Sequence, residues 1–329
     1  GTLGLNYGIR IDSSSLNNAT SNTILTNGTS SNLGIYLLSS SSNNVNSNNI
    51  STSGTASFNY GINIESSNSN NVSSNKISTN GATSNFGVRL SLSSSNKINS
   101  NNISTSGPAN FNLGIRIELS SSNNITSNTI STSGSASNNG IYLLSGSSSN
   151  NINSNTISIY GGDSSTFYFE GFLSLYPSDN SLINNTILNF TGYQLFFDTA
   201  SINGTNLIDQ PISNYSFTGT GGIVNFKDTT YGEIRFLQPI NGSGTNLSGD
   251  VRIGNNSVIV NSTGNKGLNR SANITLYGIG DRGFIVPAIL RNGINCLIGV
   301  CKNFTALNAM NVSFNVSYWT DYSIGGGTN

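Results

Sequence analysis

"SNNISTSG" occupies residues 47–54 and recurs unchanged at 100–107; a near copy, "SNTISTSG", stands at 127–134. The two identical stretches start 53 residues apart. They belong to a longer repeat. The glycine of a Gly-Ile or Gly-Val pair falls at Gly8, Gly34, Gly61, Gly87, Gly114 and Gly140, at intervals of 26, 27, 26, 27 and 26 residues. One apolar column runs Val45, Val72, Ile98, Ile125, Ile152, and another Ile24, Ile50, Ile77, Ile103, Ile130, Ile157, Ile187. A third runs Ile9, Ile35, Ile62, Val88, Ile115, Ile141, with a fourth two residues further on, from Ile11 to Leu143. A spacing of two is the strand period.

Apolar residues at i, i+3 and i+4 are missing, and Asn, Ser and Gly are poor helix formers. Short strands joined by turns, repeating at this interval, predict a parallel β-helix. Each coil is one rung of about 4.8 Å, and about seven coils, the last two degenerate, give a rod of about 35 Å. The strict columns argue against the disorder that so Asn/Ser-rich a chain invites. Four or five buried aliphatic side chains per coil return less than the cost of ordering the coil. Hydrogen bonds must supply the balance, and two asparagine columns are placed to stack. One runs Asn22, Asn48, Asn75, Asn101, Asn128, Asn155, Asn185; the other precedes the glycine at Asn6, Asn32, Asn59, Asn85, Asn112, Asn138.

The interval of 53 is a pair of coils. The extra residue always enters the loop before the glycine, where the longer loops carry Phe58 and Phe111. N-glycosylation sequons follow the same period, with Asn18, Asn71 and Asn124 in one column and Asn49 and Asn102 in another. Each flanks an inward residue and so points outward. Alternating columns give each glycan two rungs of room; duplication of a 53-residue unit accounts for the same pattern. Nineteen sequons occur in all. The later candidates are Asn184, Asn189, Asn203, Asn214, Asn241, Asn246, Asn255, Asn261, Asn269, Asn273, Asn303, Asn311 and Asn315.

Charged residues make up 8% of the chain, the net charge is zero, and histidine is absent. This lacks the basic footprint of a nucleic-acid binder. The sequons and the close pair Cys296 and Cys301 read as an exported, extracellular or cell-surface chain. The pair forms one disulfide or remains as two free thiols; a metal would need two further ligands. The chain opens inside a coil at Gly1, as a processed or trimmed product would, with no amphipathic cap in view.

The pattern "NNI..N.I......GI.I" resembles the right-handed parallel β-helix repeat family, related in fold to pectate lyases, over residues 1 to about 200. The resemblance implies the fold more than an activity. From about Gly221 the repeat stops, and segments such as "GEIRFLQPI", "DVRIGNNSVIV" and "NVSFNVSYW" alternate like sandwich strands. "YGEIRFLQPINGSGTNLSGDVRI" and "AILRNGINCLIGVCKNFTALNA" resemble the C-terminal region of archaeal surface proteins carrying the same repeats. That likeness implies a secreted cell-envelope component. The expected architecture is all-β: a right-handed parallel β-helix over 1–215 and a β-sandwich-like domain over 216–329.

Catalytic motifs fail. "GTGG" at 219–222 and "GDRG" at 280–283 lack the Lys-Ser/Thr of a phosphate loop, and no cofactor is implied. Without histidine there is no Ser-His-Asp set. The outward strip beside the glycine column is the one candidate face. Two residues past each glycine it carries Arg10, Tyr36, Arg89, Arg116 and Tyr142; two further on it carries Glu65 and Glu118, with Asp12. It reads as charge compensation on a solvated sheet, or as a face for a glycan or partner. The expected protein is a non-enzymatic, glycosylated structural component of a cell surface. It joins copies of itself head to tail into a filament, sheath or layer, with the C-terminal domain or its strand "NVSYWTDYSI" covering the next first rung. The alternative is a monomeric adhesin gripping a surface polysaccharide through the Arg/Tyr strip.

Overall fold

A computed structural model describes residues 5–171, 175–198 and 202–327. The chain divides into two compact units, Gly1–Asp198 and Thr199–Asn329.

In the first unit each coil contributes three strands. The long strands carrying the glycine stack in parallel from Asn6–Asp12 through Asn32–Leu38, Tyr60–Glu65, Phe86–Ser91, Leu113–Glu118, Asn139–Leu144 and Ser165–Glu170 to Tyr193–Phe197. Three-residue strands, Asn18–Thr20 to Ser181–Ile183, form a second parallel stack. Strands such as Asn49–Gly54 and Asn102–Ser106 form a third. Among the described residues the long strands make eight rungs, two more than the six that a glycine marks. In the last two coils Thr166 and Gln194 stand in the glycine column, so the marker is lost while the rung persists.

The apolar columns point inward and are almost wholly buried from Ile35, Val45 and Ile50 onward. The glycine column has a steric cause. A Cβ on Gly61 would lie 2.2 Å from Ile77 Cγ2 and 2.6 Å from the Gly87 carbonyl oxygen. The turns impose a second demand. Ser21, Ser47, Ser74, Ser100, Ser127 and Ser154 hold positive φ, which small polar residues tolerate better than bulky ones.

Both expected asparagine columns form ladders, and a third runs beside them through Asn17, Asn43, Asn70, Asn96, Asn123, Asn150 and Asn180. In all three, Nδ2 donates to Oδ1 of the next rung at 2.7–3.1 Å. The ladders are therefore polar, with every amide pointing the same way along the stack. Ser40, Ser67, Ser93 and Ser120 form a fourth ladder, each Oγ accepting the backbone N–H from the preceding rung.

One interior column is not satisfied this way. Thr26, Thr52, Thr79, Thr105 and Thr132 are buried, and their hydroxyls find no hydrogen-bond partner. A buried hydroxyl without a partner is a net cost, and valine matches its shape. Thr79→Val is expected to raise the stability of the unit by about 1 kcal/mol. Chemical denaturation checks this; a loss of stability would show that the hydroxyl is used.

The second unit holds two sheets. In the first, Tyr215–Asp228 pairs in parallel with Ile202–Ile208 and antiparallel with Gly232–Phe236 and Ile240–Gly244. Gly232–Phe236 continues to Ala272–Leu276, Val312–Val316 and Cys301–Asn303. The other sheet runs Val251–Gly254, Ser257–Val260, Asp321–Gly326, Pro287–Arg291, Ile294–Asn295. Trp319 packs against Phe236 of one sheet and Tyr322 of the other, closing a sandwich core. Cys296 and Cys301 form a disulfide.

The segment "NVSYWTDYSI" is not a free arm. Its flanking strands are internal to the two sheets and Trp319 is buried, so removing residues 312–329 takes out the core of this unit. Each of its two flanking strands already has partners on both sides.

Candidate functional site

The strip beside the glycine column is built by the pleat. Tyr36 and Leu38 alternate outward while Ile35 and Leu37 go inward, and the in-register rungs align each outward position into a column. Arg10, Tyr36, Asn63, Arg89, Arg116 and Tyr142 form one such column, and the structure continues it to Tyr168 and Phe196. The neighbouring column holds Asp12, Glu65 and Glu118 and continues to Glu170.

Every acid in that column is engaged. Arg10 pairs with Asp12 at 2.5 Å and Arg116 with Glu118 at 3.1 Å. Arg89 lies between rungs, 3.7 Å from Glu65 and 3.3 Å from Glu118. Tyrosines use the same diagonal. Tyr36 donates to Glu65 at 2.9 Å, Tyr142 to Glu170, and Tyr168 to Asp198 at 2.7 Å. Glu170 and Asp198 are the members that sequence spacing misses, because each lies four residues past a non-glycine at the marker position.

The strip is also drier than a solvated sheet. Tyr36 and Tyr142 are buried, and Arg89 and Arg116 are about one-fifth exposed (18% and 22%). The cause is the adjacent outward column, where Phe86 and Leu113 cluster with Tyr142 and draw in Tyr60, Leu144 and Tyr168. Tyr60 stacks on Phe86 with centroids 4.9 Å apart, and Tyr7 on Tyr36 at 5.5 Å. Arg116 sits 5.4 Å from the Phe86 centroid. The solvated-sheet expectation is corrected in this respect.

Burial, then the hydrogen bond and charge of Glu65, push the Tyr36 phenol from 10.0 up to about 12. Tyr142 and Tyr168 shift the same way, through burial first and then Glu170 and Asp198. A pKa raised on folding stabilises the fold fully below the unfolded value and loses that contribution as pH rises through the folded one. Stability is therefore expected to hold to about pH 9–10 and fall between about 10 and 12. Tyr36→Phe should flatten part of that fall in alkaline denaturation curves. An identical alkaline limb in the variant would remove Tyr36 from the account.

A cavity of about 340 Å³ opens at one end of the strip, lined by Tyr7, Tyr36, Phe58, Tyr60, Asn63, Glu65 and Arg89 among others. Phe58 carries a positive φ of 67° and stays half-exposed. A larger cavity, about 530 Å³, lies in the second unit between Leu207, Ile212, Phe226, Leu247, Val251 and Ile259, rimmed by Asp209, Lys227, Asp228 and Arg252. Among the described residues no cluster of three or more Asp, Glu or Cys is arranged to hold a metal.

The asparagines separate into two populations. Those of the ladders are buried from Asn32, Asn43 and Asn48 onward, and none of them is a sequon acceptor. Of the sequon asparagines whose side chains are described, from Asn18 to Asn315, none is buried. The side chain of Asn203 lies outside the described residues. Asn49 and Asn102 share a column with Lys76 between them, are exposed, and make no side-chain hydrogen bond. Asn18, Asn71 and Asn124 share the other column, where Asn71 donates to Asn44 at 3.0 Å.

A family model described as a right handed beta helix region matches residues 7–187. No curated protein and no solved structure matches the chain.

Proposed function

The chain belongs to the right-handed β-helix family, and on that premise we propose that it is a glycosylated structural protein of a cell surface, without catalysis of its own, whose coils join end to end. The observation that carries this reading is the division of the asparagines. Buried ladder positions avoid the sequon and sequon positions avoid burial, as an acceptor that must meet a transferase requires. Lack of catalysis is supported by the strip, where each acid is held by an arginine or a tyrosine and none is spare as a general acid or base. Head-to-tail joining is supported by the ladders, whose uniform direction lets coils add in one sense only.

Peptide mass spectrometry of the native protein tests the reading. Glycan mass is expected at Asn49 and Asn102, with their neighbours Asn48 and Asn101 bare. Unmodified Asn49 and Asn102 would remove the main support. Electron microscopy of the native material reads assembly separately, as end-joined arrays or as single particles.

A second reading is favoured by the aromatic cavity at Tyr36 and Tyr60, whose rings, with Asn63, Glu65 and Arg89, suit a saccharide. In that case Tyr36→Ala with Tyr60→Ala abolishes retention on immobilised polysaccharide and leaves the circular dichroism spectrum unchanged. Tyr142 does not probe this surface, since it does not line the cavity.

A further inference from the structure

The cavity of about 530 Å³ in the second unit is within the range that takes a small organic ligand. Its walls are apolar. Leu207, Ile212, Phe226, Leu247 and Val251 are buried, and Ile259 is half-buried. They are also fixed before any ligand arrives. Leu207 is paired with Phe226 across neighbouring parallel strands. The Leu247 and Ser248 N–H groups donate to the Ser213 and Ile212 carbonyls at 3.0 and 2.9 Å, and the Ser248 hydroxyl accepts the Ile212 N–H at 2.9 Å.

The rim carries both signs of charge, but only the cations are unengaged. Asp209 accepts the Thr229 N–H at 2.9 Å and the Thr229 hydroxyl at 2.7 Å. Asp228 accepts the Thr230 and Tyr231 N–H groups at 2.8 and 2.9 Å. Both acids are thus occupied in holding the turn at 229–231. Lys227 and the exposed Arg252 have neither an ion pair nor a side-chain hydrogen bond among the described residues.

A backbone donor stands beside Arg252. Val251–Gly254 is the edge strand of its sheet and pairs with Ser257–Val260 alone. In that pairing Arg252 faces Ile259 and Gly254 faces Ser257, and the Asn261 N–H reaches the Asp250 carbonyl at 2.8 Å. Alternation then turns the backbone groups of Val251 and Ile253 to the open edge, and both residues line the cavity. The Val251 N–H donates to the Leu247 carbonyl, whereas the Ile253 N–H has no partner among the described residues. An apolar chamber therefore meets an unused N–H and an unused guanidinium on adjacent residues. A ligand without charge would leave both donors idle; a carboxylate takes both.

We infer that this cavity binds a single-tailed amphiphilic carboxylate, a fatty acid of medium chain length in chemical class. The hydrocarbon tail lies among Leu207, Ile212, Phe226 and Leu247, and the carboxylate meets the Arg252 guanidinium and the Ile253 N–H. The tail supplies most of the affinity by leaving water, and Arg252 sets the preference for an anion. The site stands apart from the glycoprotein reading and does not need it.

Calorimetric titration of the purified full chain with decanoate tests the site, with decanol as the uncharged probe of the same tail. Decanoate is expected to saturate at one molecule per chain and to bind more tightly than decanol. Arg252→Gln should weaken decanoate about fivefold and leave decanol unchanged. Arg252 is exposed, so that variant should keep the wild-type circular dichroism spectrum. Ile259→Trp fills the cavity from a half-buried position and should abolish binding of both probes, with its thermal denaturation showing that it folds. Absence of saturable decanoate binding by the wild type would overturn the site. So would equal affinity for decanoate and decanol, unchanged decanoate affinity in Arg252→Gln, or binding that survives Ile259→Trp. A chain that carries glycan but binds no decanoate would sink this inference and leave the glycoprotein reading intact.

Discussion

Asn101→Ala is expected to destabilise the β-helix by about 3 kcal/mol. The Asn101 amide donates to the Val72 carbonyl and to Asn128 Oδ1, both at 3.0 Å. Its Oδ1 accepts the Asn75 backbone N–H at 2.9 Å and Asn75 Nδ2 at 3.0 Å. All of this lies in the interior, with Asn101 and its ladder neighbours about 1% exposed. Alanine removes these four hydrogen bonds at once; Asn128 Oδ1 keeps the Asn101 N–H, but the Asn75 N–H and the Val72 carbonyl lose their asparagine partner. Each buried polar group left unmatched costs about 1–3 kcal/mol, and relaxation recovers only part. Because each coil touches its neighbours alone, the loss should be local first. Hydrogen exchange should quicken around Val72 and Asn128 before distant coils respond. Unchanged exchange there, with an unchanged denaturation midpoint, would mean that the ladder does not hold the coils together.

The second large effect is expected from Gly87→Ala, at about 1–3 kcal/mol or more. The new Cβ would lie 2.1 Å from Ile103 Cγ2 and 2.6 Å from the Gly114 carbonyl oxygen. Neither neighbour can retreat. Ile103 is packed in the core, and the carbonyl belongs to the next rung. Gly326→Ala is the control, since nothing lies within 4 Å of its added Cβ and it should be close to neutral. A double-mutant cycle sharpens the cause. With Ile103→Ala in place the clash with Cγ2 disappears, so the cost of Gly87→Ala should shrink. Additive costs would place the requirement for glycine in the backbone alone.

Much of the candidate strip was legible from spacing. Arg10 beside Asp12, and Arg89 between Glu65 and Glu118, follow from a pleat of period two and a rung of 26 or 27 residues. Tyr36 reaching Glu65 does not, because nothing local tells a solvated tyrosine from one roofed by its neighbours. The acids at Glu170 and Asp198 went unread for a plainer reason, since Thr166 and Gln194 had replaced the marker from which they are counted. The third asparagine ladder stands two residues before the first apolar column, as Asn43 does before Val45 and Asn96 before Ile98. Its burial depends on a turn that sequence periodicity does not describe.

The sequence by itself determined the β-helix: a strand's two faces alternate, so columns of isoleucine and asparagine recurring once per coil fix which side is inside and which rows stack. Only the tertiary structure decided the rest. The direction of the ladders, the dryness of the Arg/Tyr strip, the place of Trp319 between two sheets and the outward turn of Leu297 and Ile298 all depend on partners from other rungs or strands. In the repeat those partners sit one coil away and are foreseeable in kind. In the second unit they are dozens of residues away with no period to announce them, so burial there is set by pairing that local pattern does not encode.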